Sequence, residues 1–234
     1  MTTQGRSRTR VSRPPEERLE PSPKVGTEVS QHAGSRSPVL QRFGPTLEAP
    51  PRESGLVSEV VRAVRDEDLP VLREIERASG ERYREFGLDQ VADDEPASIE
   101  VLADYASGGR AWVAQDADGA PVGYILVDAV DGAAHIEQVS VAPDHQGRGL
   151  GRALVERAAQ WAAGQDMNAL TLTTFGHIPW NRPLYEHLGF RVLAYDELGP
   201  GMRAAREAEA AHGLDPALRV VMRRDLDRTP GAAG

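Results

Sequence analysis

The run His145–Gly151, HQGRGLG, places glycines at alternate positions, Gly147, Gly149 and Gly151, with Arg148 inside the run and Arg152 just after it. It stands where a strand-like apolar stretch, IEQVSVAP, gives way to a helical pattern. Glycine weakens a helix, so three of them at this point ask for a use. Two familiar phosphate loops fail on spacing. A dinucleotide loop needs G-x-G-x-x-G, yet Arg152 stands three places after Gly149 and Leu154 three after Gly151. A triphosphate loop ends in Gly-Lys, and the chain contains no such pair. What remains is a turn whose amides face an anion at a helix amino terminus, itself carrying about half a positive charge. Arg148 and Arg152 add full charges, and a pyrophosphate suits this geometry best. A turn that binds nothing needs only one or two glycines.

The elements that would hold this loop are legible from Leu56 onward. LVSEVVRAV alternates like a strand, and DEDLPVLREIERAS follows with Leu69, Leu72, Ile75 and Ala78 at helical spacing. A second helix is predicted near 96–106. AWVAQDADGAPVGYILVDAVDGAAHIEQVSVAP then reads as three strands joined by Asp118-Gly119 and Asp131-Gly132 turns, an antiparallel meander. After the glycine run, Leu150, Leu154, Ala158 and Trp161 mark the apolar face of a helix. ALTLTTF is a buried strand, PWNRPLYEHLGF a short helix, RVLAYDEL a strand, GMRAAREAEAAHGL a charged helix and LRVVMRRDL a last strand. The order β-α-α-β-β-β-α-β-α-β-α-β predicts one α/β domain over residues 56–227.

Composition narrows the function. Residues 1–55 carry nine Lys/Arg against six Asp/Glu, a net of +3, with eight of the 17 prolines and Phe43 as the one aromatic. Such a segment buries too little apolar surface to offset its chain entropy and is expected to be a disordered basic tail. Residues 228–234 are expected to be a flexible end. Beyond Gly55 the balance is 18 basic to 30 acidic, a net of −12, which repels phosphate backbones and argues against nucleic acid as a partner. The chain has no cysteine, so a Cys nucleophile, a thiolate metal site and a disulfide are excluded, and no metal is expected. No apolar run approaches the ~20 residues of a bilayer span. The start of the chain lacks a signal-peptide core, and a cytoplasmic protein without a membrane partner is expected.

The stretch V-x-V-A-P-D-H-Q-G-R-G-L-G-R-A-L, residues 139–154, resembles the acyl-CoA signature of the GNAT N-acetyltransferase superfamily. That signature reads Q/R-x-x-G-x-G/A, here Gln146, Gly147, Arg148, Gly149, Leu150 and Gly151. The order of elements over residues 56–227, about three-quarters of the chain, is similar as well. The resemblance implies a mixed, mostly antiparallel sheet flanked by helices and splayed at the acyl-CoA-binding strand. It implies acetyl-CoA as cofactor, its pyrophosphate on the amides of residues 147–152. The pantetheine arm would pair with the backbone of Val139, Ser140 and Val141. That pairing makes physical sense, because an open strand edge needs partners.

Acetyl transfer to an amine needs a neutral amine, stabilisation of the oxyanion and a proton for the departing thiolate. Period two places His135, Glu137, Val139 and Val141 on one strand face. Glu137 is the expected general base, direct or through water, with His135 second. By resemblance, Tyr185 in LYEHLGF, just before Gly189 and Phe190, is the general acid. Relatives often carry an Asn seven places before this Tyr; here that position is Ile178, and Asn181 is either a cofactor contact or a helix cap. His177, Trp180, Tyr195, Tyr83, Phe86 and Tyr105 are candidates for the acceptor pocket. The acidic stretch REFGLDQVADDEP would favour a cationic amine. The expected activity is direct acetyl transfer, in a ternary complex, to a primary amine of a small molecule or peptide. A non-catalytic CoA-binding regulatory or sensor module is the alternative. Members of the family often dimerise, which makes a homodimer an expectation from resemblance alone.

Overall fold

The computed structural model describes residues 61–227; the tail expected over 1–55, the first residues of the initial strand, and 228–234 lie outside the described residues. Seven strands form one sheet: β1 Val61–Ala63, β2 Ala111–Gln115, β3 Pro121–Val130, β4 Ala133–Val141, β5 Ala169–Phe175, β6 Arg191–Val192 and β7 Arg219–Asp225. Their spatial order is β1-β2-β3-β4-β5-β7-β6. Every neighbouring pair is antiparallel except β4 with β5. The meander forms as expected. Asp131 and Gly132 both take positive φ, 50° and 76°, the twist that a two-residue hairpin requires. In the preceding hairpin the Asp116 carboxylate accepts from the amides of Asp118 and Ala120.

Helices cover both faces. Leu72 and Ile75 of α1 (Leu69–Gly80), with Leu102 and Tyr105 of a later helix, pack on Val113, Tyr124 and Leu126. The alternate residues Trp112, Ala114, Ile125 and Val127 point to the opposite face, where Leu154, Val155 and Ala158 cover them. This alternation along β2 and β3 is the period of two expected of a strand buried on both sides. A four-residue helix, α2 (Asp89–Ala92), precedes α3 (Ile99–Ser107), whose N-cap Ser98 accepts from the Val101 amide. The long helix after the glycine run is α4 (Leu150–Gly164), and α5 (Asn181–His187) follows β5. The charged helix α6 (Pro200–Ala211) lies on the α1 side, with Met202 against Val221. Its first amides, Gly201 and Met202, are capped from the hairpin by the Asp131 carboxylate at 2.9 Å.

One element is shorter than its sequence suggests. RVLAYDEL forms strand pairs with β7 at Arg191 and Val192, followed by one bond from the Leu193 amide to Val221 O at 2.9 Å. The Glu197 carboxylate then accepts from the Ala194 amide and draws Tyr195–Glu197 into a 3-10 turn, ending the strand.

Candidate active site

The site begins where two strands part. β4 pairs with β5 only through Ala134–Ile136 against Leu170–Leu172. Beyond that, β4 runs on to Val141 paired with β3, and β5 runs on to Phe175 paired with β7. The backbone edges that face each other across the fork therefore lack a strand partner, the opening expected for an arm that adds as a strand.

A β-bulge sits at the fork. Val127 pairs with Ile136 and Leu126 with Gln138, so Glu137 is the extra residue. The bulge overturns the expectation that His135, Glu137, Val139 and Val141 share a face. Ile136, Val139 and Val141 all pack into the core that holds α4. His135 points the other way, its Nδ1 3.0 Å from Thr171 Oγ1 and its Nε2 3.8 Å from the Glu137 carboxylate. Gln138 and Ser140 also face away from α4: Gln138 Nε2 donates to Ser140 Oγ, which lies 3.2 Å from Ser79 Oγ of α1. On the same side the buried Glu76 carboxylate of α1 accepts from the Tyr124 hydroxyl. An inserted residue shifts the side-chain phase by one, which moves the charged pair away from the valines.

The two candidate bases differ sharply in setting. Burial pushes the His135 imidazole down to about 4, an effect that the charges of Asp128 and Glu209 oppose and that of Arg219 aids. An imidazole that resists protonation so strongly is a poor acceptor for the proton of an alkylammonium near pKa 10.4. Glu137 is only half-buried at the mouth of the fork, where a substrate can reach it. The setting favours Glu137.

Gly147 and Gly149 take φ of 75° and 79°, the left-handed region that glycine enters without steric cost. They turn the chain after a short 3-10 segment, Pro143–His145, and lead directly into α4. Gly149 is the N-cap of α4, with no side-chain cap, and Leu150, Gly151 and Arg152 form the first turn. The helix amino terminus thus presents amides that no capping side chain occupies. Arg148 Nη2 donates to Asp144 O at 2.8 Å, back onto its own loop, and Arg152 is exposed. Gln146 reaches into the fork, its Nε2 donating to Val141 O at 2.9 Å. Its Oε1 accepts from Arg82 Nη1 at 3.1 Å, and that guanidinium lies 3.8 Å from the Trp180 ring centroid. Arg82, in the 3-10 segment Glu81–Phe86 after α1, is a cation at the fork that nothing in the sequence pattern marked.

Tyr185 sits on α5, fully buried and edge-on to Phe190 at 5.7 Å. Burial raises its phenol well above the usual value of 10, the charge of Tyr83 adds to this, and Arg219 opposes it. Such a phenol holds its proton at neutral pH. Asn181 does not cap α5, whose N-cap is Trp180. Its Nδ2 donates to the Tyr83 hydroxyl at 3.2 Å, and both residues are buried.

The acceptor-pocket candidates separate. Tyr83, Phe86 and Trp180 converge, with ring centroids at 6.3 Å and 4.8 Å from Trp180. His177 is exposed beside Phe175, and Tyr195 is 71% exposed against Arg203. Tyr105, on α3, is buried against the sheet and donates to Asp128 at 2.6 Å. The acidic stretch is not an open wall of charge. Arg84 engages Glu81, Asp89 and Asp93, and Arg73 and Arg77 engage Glu95. These pairs offset part of the charge of the stretch.

Four buried polar atoms at the fork have no hydrogen-bond partner: Gln138 Oε1 on β4, Thr174 Oγ1 on β5, His145 Nδ1 in the loop and Trp180 Nε1 at the head of α5. Buried polar atoms are rarely left so. A ligand carrying amides and phosphates would bring both donors and acceptors to this region, which is the character of CoA.

The sequence profile of the Acetyltransferase (GNAT) family matches residues 72–190. The chain belongs to this family. Over 83 residues it is 37% identical to a protein of Beutenbergia cavernae named mycothiol acetyltransferase. Over 99 residues it is 28% identical to the peptidyl-lysine N-acetyltransferase YjaB of Salmonella typhimurium. These matches cover 35% and 42% of this chain, and 28% and 62% of the relatives' own lengths. The fold is shared with N-acetylglutamate synthase of Neisseria gonorrhoeae, solved with coenzyme A and N-acetyl-glutamate. That likeness has a TM-score of 0.55 at 19% identity and covers 72% of this chain and 35% of the synthase. The family match spans the fork, the glycine loop and Tyr185, so the GNAT signature read at 139–154 and the forked sheet belong to one unit. Among the described residues, no helix of this GNAT protein is long and apolar enough to cross a membrane.

Proposed function

We propose that this GNAT protein transfers an acetyl group from acetyl-CoA to a primary amine of a small molecule or peptide, directly and in a ternary complex. The observation that carries the reading is the fork itself, an unpaired β4 edge that leads into a glycine turn at an uncapped helix amino terminus. The bound cofactor supplies the acetyl group activated as a thioester. The amides of residues 147–152, aided by Arg148 and Arg152, would hold its pyrophosphate, and the backbone of Val139, Ser140 and Val141 would align its arm. Gln146 must release Val141 O for that pairing, so its side chain swings out as the arm enters.

Glu137 takes a proton from the acceptor ammonium, which frees the nitrogen lone pair for attack. A carbon–nitrogen bond would form as the thioester carbon–sulfur bond broke; Tyr185 would give its proton to the departing sulfur and recover one from the nitrogen, which sheds its second proton as the amide forms. Burial keeps the phenol protonated until that moment. No cysteine exists to carry the acyl group, which supports direct transfer. Two relatives support an amine acceptor: the Salmonella enzyme is named for peptidyl lysine, and the Neisseria structure holds N-acetyl-glutamate.

The test has two stages. Acetyl-CoA at 100 times its dissociation constant should stabilise the fold by about 2.7 kcal/mol, read as a rise in Tm. Thiol release is then followed with a panel of amino acids, polyamines and lysine peptides. Stabilisation with no amine-dependent thiol release would identify a non-catalytic CoA-binding module. No stabilisation would end the cofactor reading.

A further inference from the structure

β5 carries three threonines beyond Leu170, and they differ in how their hydroxyls are served. Thr171 Oγ1 lies 3.0 Å from His135 Nδ1, and Thr173 hydrogen-bonds the Glu209 carboxylate. Thr174 Oγ1 has no partner, although the residue is wholly buried. Strand alternation explains the split. Leu170 and Leu172 pack into the core with α4 and Tyr185, and Thr174 continues their face. Thr171 and Thr173 point to the opposite face, toward the polar groups beneath α6.

Thr174 also stands beyond the last β4–β5 pair, Ile136 with Leu172, so β4 is no longer beside it. Its own backbone is registered with Val220 of β7. It therefore marks the β5 wall of the fork on the side that holds Tyr185. The Asn181 side chain, at the head of α5, donates to the Tyr83 hydroxyl. A buried hydroxyl without a partner costs stability, whereas an isosteric valine would not.

We propose that Thr174 is a cofactor-anchoring residue whose hydroxyl hydrogen-bonds an amide of the pantetheine arm; the proposal rests on the CoA reading above. An arm that pairs with β4 along one edge turns its other edge to β5. There a hydroxyl, donor and acceptor at once, serves either group of an amide. The fork then grips the arm from both strands: through backbone on β4 and through this side chain on β5.

The test compares wild type, Thr174→Val and Thr174→Ser by calorimetric titration with two ligands, CoA and adenosine 3′,5′-bisphosphate, which lacks the arm. Thr174→Val is expected to raise the Kd for CoA about tenfold and to leave that of the bisphosphate within twofold. Thr174→Ser is expected to restore CoA binding to within threefold. Without ligand, Thr174→Val should have a Tm unchanged or raised by roughly 2–4 °C, because the orphan hydroxyl is gone. Unchanged CoA affinity in Thr174→Val would overturn the proposal while the cofactor reading stood. Equal weakening of both ligands with a lower Tm would overturn it in favour of a packing role. A wild-type protein that binds neither ligand would overturn both readings.

Discussion

From Ala134 to Ile136, β4 has a strand on each side; from Glu137 to Val141 it has one only on the β3 side. The two halves of this strand show how one sheet can be both scaffold and site. In the closed half, Ala134, Ile136, Leu170 and Leu172 are fully buried and the polar neighbours His135 and Thr171 satisfy each other. In the open half, Gln138 and Thr174 are just as buried, yet each keeps a polar atom without a partner. Apolar burial and paired backbone hold the first half together. The second carries unmet hydrogen-bonding capacity, which costs stability until a ligand meets it. The bulge at Glu137 is the boundary, and it delivers the one half-buried carboxylate of the strand to the mouth of the fork.

Variants in each half should behave in opposite ways. The largest effects belong to the chemistry of the open half. Glu137→Gln and Tyr185→Phe should each lower kcat by about 10²–10⁴ with the Kd of acetyl-CoA within twofold, as measured by thiol release and calorimetry. Unchanged turnover in both would refute the assigned roles even with the fold correct. Because burial holds the Tyr185 phenol well above 10, its ionisation should produce no loss of activity below pH 10.

In the closed half the loss should be one of folding. Leu172→Ala is expected to cost about 2–5 kcal/mol in urea denaturation, against no loss for Thr174→Val two residues on. A similar loss at both positions would erase the contrast between the halves. Gly149→Ala forces a Cβ into left-handed backbone, at about 1–2 kcal/mol, and should also weaken CoA binding.

The smallest effect tests His135. Its imidazole is near 6.5 when unfolded and about 4 when folded, because burial disfavours the cation. The unfolded chain therefore takes up a proton first as pH falls. Stability should begin to decline about one pH unit above 6.5 and fall toward pH 4, and His135 should contribute no slope above that window. At pH 6.5 the loss is only ~0.4 kcal/mol and it grows with acidity. His135→Gln should flatten this part of the stability curve; an unaltered curve would place the imidazole outside the buried setting described.

Much of the molecule was legible before any coordinates. The Asp131-Gly132 turn announced its hairpin because so few residue pairs accept two positive φ angles. The glycine loop was legible because left-handed backbone at a helix start leaves a strong residue preference. Other features had no such mark. Glu137 as a bulge residue was invisible, since HIEQVSV alternates acceptably in either phase. Arg82 lies in an unremarkable ERYREF segment and reaches Gln146 only because α1 packs across β4. Asn181 reads as a cap or a cofactor contact, and its bond to a buried phenol 98 positions away has no local mark.

Sequence alone thus determined the order of elements, the two hairpins, the glycine turn and the family signature, all set by neighbours within a few residues of one another. Only the tertiary structure decided where β4 leaves β5, which face Glu137 takes and which buried atoms are left without partners. Those outcomes depend on contacts between segments far apart in the chain, where packing and strand register override the local pattern.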